Sequence, residues 1–146
     1  MNREPTTMRS NRSRGFTLIE IMITVLIVGV LAAIALTSYQ RNVVETRRKA
    51  ATACLIEAAQ ALERFYTTNL TYVGSPNPDV VLACAQDLDA FYDFESVSAE
   101  LDERTFLLRA LAKGVQLDRD AGCTELALDQ TGQRFVGATP GGGACW

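Results

Sequence analysis

Little in this sequence is equipped for catalysis. It contains no histidine, which removes the commonest general base, the commonest zinc ligand and every Ser-His or Cys-His nucleophile pair. No phosphate-binding GxxxxGKS/T, no GxGxxG and no CxxC occurs. The fourteen acids that follow Ala50 are scattered, the pattern of a solvated face rather than of paired catalytic carboxylates. No catalytic residue, metal site or cofactor is expected. Two features with chemical content remain. One is Glu20, a carboxylate inside an apolar run, and the other is a set of four cysteines, Cys54, Cys84, Cys123 and Cys145.

From Ile21 to Gln40 there is no charged residue, so this stretch reads as a membrane span. A carboxylate at the centre of such a helix costs about 2.5–3.5 kcal/mol, and less near the interface. Glu20 therefore needs a cation. The nearest candidate is the amino terminus that cleavage before Phe16 would create, on the same chain or on a neighbour. Residues 1 to 15, MNREPTTMRSNRSRG, are polar and basic, and this order resembles a secretory signal. The small-residue cleavage site expected after the apolar region is not obvious, however, Ala32 to Ala35 being the nearest approach. An uncleaved anchor is the plainer competitor. Basic residues flank the span on both sides, Arg3, Arg9, Arg12 and Arg14 before it and Arg41, Arg47, Arg48 and Lys49 after it, so charge alone does not orient it.

These residues need elements to hold them. Beyond the span, Ala51, Leu55, Ala58, Leu62 and Phe65 recur at steps of four and three, one face of an amphipathic helix. Neither proline nor glycine occurs from Val30 to Val73, so a single helix from Phe16 to about Asn69 is predicted, roughly 80 Å long at 1.5 Å per residue. Gly74-Ser75-Pro76-Asn77-Pro78 signals a loop. Strands are predicted at Phe91 to Ser98, Thr105 to Ala112, Cys123 to Leu128 and Gln133 to Val136, with Gln130-Thr131-Gly132 turning between the last two. Tyr66, Tyr72, Phe91, Tyr92, Phe94 and Phe106 read as core or sheet aromatics. A small antiparallel sheet packed on the amphipathic helix makes the fold class α+β.

Four cysteines in an exported chain read as two disulfides, for which three connectivities exist. The tail from Gly137 to Cys145 is nearly all Gly, Ala, Thr and Pro, with little side-chain surface to hold it down. A Cys123–Cys145 bridge would pin it, worth about 3 kcal/mol in the chain-entropy model. Cys54–Cys84 would then tie the helix to the following loop, although Cys54 also suits a small position on the helix face.

The 146 residues carry a net charge of −3, unevenly placed. From Ala50 onward six bases face fourteen acids. Such a head stays dissolved at high local concentration. It is poorly suited to phosphate, and nucleic acid is not an expected partner.

Gly15-Phe16-Thr17-Leu18-Ile19-Glu20 resembles the prepilin peptidase site of type IV pilins and of the related type II secretion pseudopilins. The resemblance implies cleavage between Gly15 and Phe16, N-methylation of Phe16, and a role for Glu20 in assembly through a neighbour's N-terminus. Gly29 matches the family's mid-membrane glycine, whereas Thr37 stands where the family often has proline. A start at Met8 would give a shorter leader and the same product. Farther along, Glu63-Arg64-Phe65-Tyr66-Thr67-Thr68-Asn69, the run from Cys123 to Gly132 and the closing Cys145-Trp146 resemble the PilE-type minor pilins. The disulfide-closed tail argues against a major pseudopilin.

The resemblance implies four regions: a cytoplasmic leader over 1–15, a membrane and filament-core helix over 16–40, an amphipathic continuation over 41–73, and a head with a disulfide-closed tail over 74–146. It implies a structural minor pilin and no enzyme. The expected partners are the prepilin peptidase, other pilin subunits in a filament, and the inner membrane before assembly. The chain would cross that membrane once with its head in the periplasm, then pass into an extracellular pilus used for twitching, adhesion or uptake. A DNA- or surface-binding minor pilin and a type II secretion pseudopilin are the alternatives.

Overall fold

The computed structural model describes residues 15–77, 82–96 and 101–146. The expected leader up to Arg14, part of the loop after Gly74, and Val97 and Ser98 of the first expected strand lie outside the described residues. The chain divides into two compact units, Met1–Ser38 and Tyr39–Trp146.

Helix α1 covers Leu18–Asn69. Its interior holds one glycine, Gly29, and no proline, so almost every residue can donate to the helical ladder. At Thr37, where the pilin resemblance places proline, the helix is intact, and the hydroxyl donates back to the Ala33 carbonyl at 3.3 Å. All side chains of the first unit from Gly15 on are exposed. In the second unit α1 buries Val44, Ala51, Cys54, Leu55, Ala58 and Leu62, a single stripe with the spacing of a core-facing helix. The predicted stripe departs from the observed one at its end. Phe65 is only half-buried, and Tyr66 packs against the core instead, because a four-and-three pattern drifts around a 3.6-residue helix and Tyr72 stacks on Tyr66 at 4.6 Å. Leu70 closes the helix in the left-handed region, φ 58°, and its N–H donates to the Tyr66 carbonyl at 2.7 Å.

The sheet has five antiparallel strands in sequence order: β1 (Tyr92–Ser96), β2 (Leu107–Ala112), β3 (Glu125–Asp129), β4 (Arg134–Val136) and β5 (Thr139–Pro140). The α+β class read from the sequence holds. The register sets Phe94 against Ala110 and Ala110 against Leu126, so the core-facing side chains line up across three strands. Tyr92, Phe94, Leu108, Ala110, Leu126 and Leu128 meet the α1 stripe in one core, joined by Tyr72 and Phe106. Of the six aromatics expected there, Tyr66 and Phe91 are the two that pack only at its margin. The turn at Gln130 to Gly132 is built on Asp129, whose Oδ1 accepts from the backbone N–H groups of Thr131 at 2.8 Å and Gln133 at 2.9 Å.

Two short helices and the edge strand β5 were not foreseen. Helix α2 is Ala83–Leu88 and α3 is Gly114–Arg119, and six residues give too little periodicity to register. The α3 region carries the one buried polar cluster of the second unit among the described residues. Arg48 on α1 donates to Asp120 at 2.6 Å, with both side chains largely enclosed. Arg48 also approaches the Cys123 sulfur at 3.3 Å. Gln116 is fully buried and donates to the Val44 carbonyl and to Asp120, both at 3.1 Å. Burial, and then the charge of Asp120, push the Tyr92 phenol up to about 12, against the opposing influence of Gln116 and Arg48.

Removing one partner of an enclosed pair strands the other charge. Asp120→Ala is expected to cost about 3–5 kcal/mol in denaturant unfolding, and Arg48→Met with Asp120→Leu to recover much of it. A loss within error for the single variant would show that the pair is solvated. Alkali should also act on this cluster. A tyrosine raised from about 10 unfolded to about 12 folded holds its proton longer in the native state, so its stabilising contribution is present below pH 10 and lost as pH rises towards 12. Tyr92→Phe should flatten the fall of Tm across that window.

Candidate functional site

Two regions carry the residues singled out in the sequence. The first is the start of α1. Gly15 to Thr17 precede the helix, and the Glu20 N–H donates to the Thr17 hydroxyl at 3.3 Å. Thr17 is thus the N-cap and Glu20 the third helical residue, the spacing of a capping box. The pattern Thr17-x-x-Glu20 was visible in the sequence but was not used there. A carboxylate in the first turn suits the helix dipole. Glu20 has no ion-pair partner among the described residues. Phe16 and the apolar side chains that follow it are exposed, Phe16 at 78% and Leu18 at 77%. Helix α1 is long and apolar enough to cross a membrane in this part.

The second region is the C-terminal part of the sheet unit. Cys54 bonds Cys84 and Cys123 bonds Cys145, across 30 and 22 residues. The first bridge joins α1 to α2 and the second fastens the tail beside α3. The glycine-rich tail folds under the last residue. Gly142 lies in the left-handed region at φ 65°, and a Cβ there would stand 2.6 Å from the Trp146 ring. The indole N–H donates to the Phe135 carbonyl at 3.0 Å, and the Arg134 guanidinium lies 5.3 Å from the ring centre. Trp146 is a seat for the tail that the sequence reading passed over. A terminal aromatic next to a bonded cysteine was the available signal.

Four of the ten bases of this unit are held in ion pairs. Besides Arg48, Lys49 pairs with Glu45 at 2.7 Å, Arg109 with Glu125 at 3.2 Å, and Lys113 with Asp93 and Asp89. The hydrogen bonds that the Lys113 ammonium donates to Asp93 and Asp89 hold it above its ordinary range. Lys49 holds the Glu45 carboxyl below its own. Among the described residues Arg41, Arg64, Arg104 and Arg119 have no ion pair, nor do Arg47, which lies 3.6 Å over the Phe91 ring, and Arg134, which faces the Trp146 ring. An open groove of about 750 Å³ runs over the outer sheet face past Asp102, Arg109, Gln130 and Phe135. No group of three or more potential metal ligands occurs among the described residues.

Comparison with known proteins gives a consistent set. Residues 37–127 match the family described as type IV minor pilin ComP, DNA uptake sequence receptor. Residues 10–36 match the prokaryotic N-terminal methylation motif. A probable minor fimbrial protein of Dichelobacter nodosus is 46% identical over 67 residues, 44% of this chain and 40% of that protein. The type IV major fimbrial protein FimA of the same organism is 32% identical over 117 residues, 68% of this chain and 75% of that one. A solved type IV pilin from Shewanella oneidensis superposes with a TM-score of 0.51 at 31% identity, covering 70% of this chain and 97% of its own.

The tail geometry yields two expected outcomes. Replacing Cys123 and Cys145 by serine should cost about 3 kcal/mol and speed amide exchange in residues 137 to 146 before the sheet responds. Gly142→Ala should also destabilise, since its Cβ would meet the Trp146 ring at 2.6 Å in a backbone conformation unsuited to alanine. Unfolding curves for Gly142→Ala that overlay the wild type would mean that the indole is not seated there.

Proposed function

This chain belongs to the type IV pilins, in the family of the minor pilin ComP, and we propose that it is made as a leadered precursor, cut after Gly15 and methylated at Phe16. It is a structural subunit that joins other pilin subunits in a filament. The N-terminal apolar helix anchors it in a membrane before assembly, with the sheet unit on the periplasmic side and the peptidase acting from the cytoplasm. No catalytic step is assigned to it. The matched relatives are fimbrial proteins and a type IV pilin, which supports a pilus over a secretion pseudopilus.

The observation that carries this reading is Glu20. Its backbone caps the helix through Thr17, yet its carboxylate has no ion-pair partner among the described residues, at the head of a fully exposed apolar surface. Within a membrane the helix dipole alone leaves such a group short of a counter-charge, and the methylated amine of Phe16 on a neighbouring subunit is the cation that assembly would supply.

A second reading rests on the family description, which names a DNA uptake sequence receptor. The six bases of the sheet unit without ion pairs among the described residues, Arg41, Arg47, Arg64, Arg104, Arg119 and Arg134, are spread over several elements, among acids in excess. Binding to arbitrary duplex is therefore expected to be weak at physiological salt, whereas a receptor would distinguish its own sequence from others through base contacts.

Mass spectrometry of the mature chain should find an N-terminus at methylated Phe16. An intact leader, or a cut near Ala35, would overturn the prepilin reading. Glu20→Ala should insert into membranes normally, because the capping bond uses the backbone, and should drop out of shed pili. Normal incorporation would remove Glu20 from the assembly contact. For DNA, the full chain in detergent is titrated with duplexes in a competition mobility shift. Sequence-selective micromolar or tighter binding that weakens with salt, and is reduced by Arg64→Ala, Arg104→Ala or Arg134→Ala, would put the receptor role first.

A further inference from the structure

The two disulfides share one plan. Each joins an enclosed cysteine to a half-buried one, Cys54 to Cys84 and Cys123 to Cys145. They differ in what surrounds the enclosed sulfur. Cys54 belongs to the apolar core with Ala51, Leu55 and Ala58, and no hydrogen-bond donor reaches its sulfur among the described residues. The Cys123 sulfur instead accepts from Arg48 Nη1 at 3.3 Å. The same nitrogen donates to Asp120 at 2.6 Å, so the guanidinium is fixed beside the sulfur.

A disulfide opens when a thiolate attacks one sulfur and the other departs with the bonding pair, so exchange needs access to the first and stabilisation of the second. At Cys123–Cys145 the two requirements fall on different residues. Cys145 stands in the tail behind Gly142, Gly143 and Ala144, which carry almost no side chain to screen it. Cys123 is 6% exposed, shielded from attack, but an Arg48 N–H is in place for the charge it would carry on leaving. Asp120 opposes that charge, yet its own is already shared between Arg48 and the Gln116 amide. A thiolate leaving at Cys54 would be stranded in an apolar core without a donor.

We propose that Cys123–Cys145 is a thiol–disulfide exchange site with a fixed direction. An incoming thiolate bonds to the Cys145 sulfur, the bond between Cys145 and Cys123 breaks, and Cys123 leaves as a thiolate on the Arg48 N–H. Electrons balance: the incoming sulfur supplies the pair of the new bond, and the old pair departs on Cys123. Closure is the reverse, with the Cys123 thiolate attacking Cys145 of the mixed disulfide and expelling the partner's thiolate. The opened tail keeps a tether, because the Trp146 indole still donates to the Phe135 carbonyl and holds Cys145 near Cys123. The partner this chemistry fits is a dithiol oxidoreductase. That such an enzyme meets the sheet unit in the periplasm rests on the membrane-anchored reading above, whereas the direction of exchange does not.

The test uses the oxidised full chain in detergent, treated with reduced glutathione, quenched at intervals with N-ethylmaleimide and mapped by peptide mass spectrometry. Glutathione should be found on Cys145 and the maleimide on Cys123, with Cys54–Cys84 still closed. Glutathione mainly on Cys123, or Cys54–Cys84 opening first, overturns the proposal. Arg48→Met with Asp120→Leu then removes the donor while leaving the seat filled. Its Cys123–Cys145 bridge should open about tenfold more slowly than that of the wild type, with Cys54–Cys84 as the reference in the same sample. A merely structural Arg48 gives the opposite sign, since a loosened tail exposes its bridge. An equal or faster opening with the Cys54–Cys84 rate unchanged therefore also overturns the proposal, and the wild-type map decides alone if the double variant does not fold.

Discussion

The sheet unit depends on one polar contact set into an apolar seat, Arg48 with Asp120, backed by Gln116. The α1 stripe and the sheet supply the burial that drives folding, but burial is non-directional. A small-residue stripe such as Ala51, Ala58 and Cys54 would accept several rotations and slides of a sheet across it. A guanidinium enclosed with a carboxylate accepts only one arrangement, because any other leaves a charge unpaired in a poorly solvated place. The same arginine touches the sulfur of Cys123, so the contact also sets where the second disulfide begins. From that disulfide follow the path of the tail, the glycine under the indole and the position of Trp146.

Long or periodic features were readable in advance. An uncharged run of that length and a four-and-three stripe announce α1 without reference to anything distant, and alternation announces β3. Phe65 was misplaced by one position because a fixed repeat was carried to the end of a helix whose true period is longer. Helices α2 and α3 were missed for a different reason. Six residues hold less than two turns, and in α3 the pattern is reversed, so Val115 and Leu117 point away from the core that their types would suggest. The Arg48–Asp120 contact spans 72 residues, and nothing local marks Arg48 among its neighbours Arg47 and Lys49 as the one to be enclosed.

The two disulfides complement this contact rather than duplicate it. Cys54–Cys84 holds α2 against the helix, after the chain has turned at a left-handed Leu70. Cys123–Cys145 holds a tail that has almost no side chains to bury. Each bridge starts from a cysteine buried in the core, Cys54 or Cys123, and ties to it a segment whose open chain would be costly to order. Where burial is dense, in the register of Phe94, Ala110 and Leu126, no covalent help is present.

Glu20 and Asp120 set two uses of the same chemistry side by side. Each is a carboxylate that an apolar setting makes expensive without a cation. Asp120 finds its cation within the chain, at the moment of folding, and the pair then serves to select one packing. Glu20 sits on a capped helix end that is complete without its side chain, so folding makes no demand on it and supplies no partner among the described residues. On the assembly role proposed for it, its cation would come from a second molecule. Folding and assembly would then be governed by separate contacts, the first by Arg48 with Asp120 and the second by Glu20.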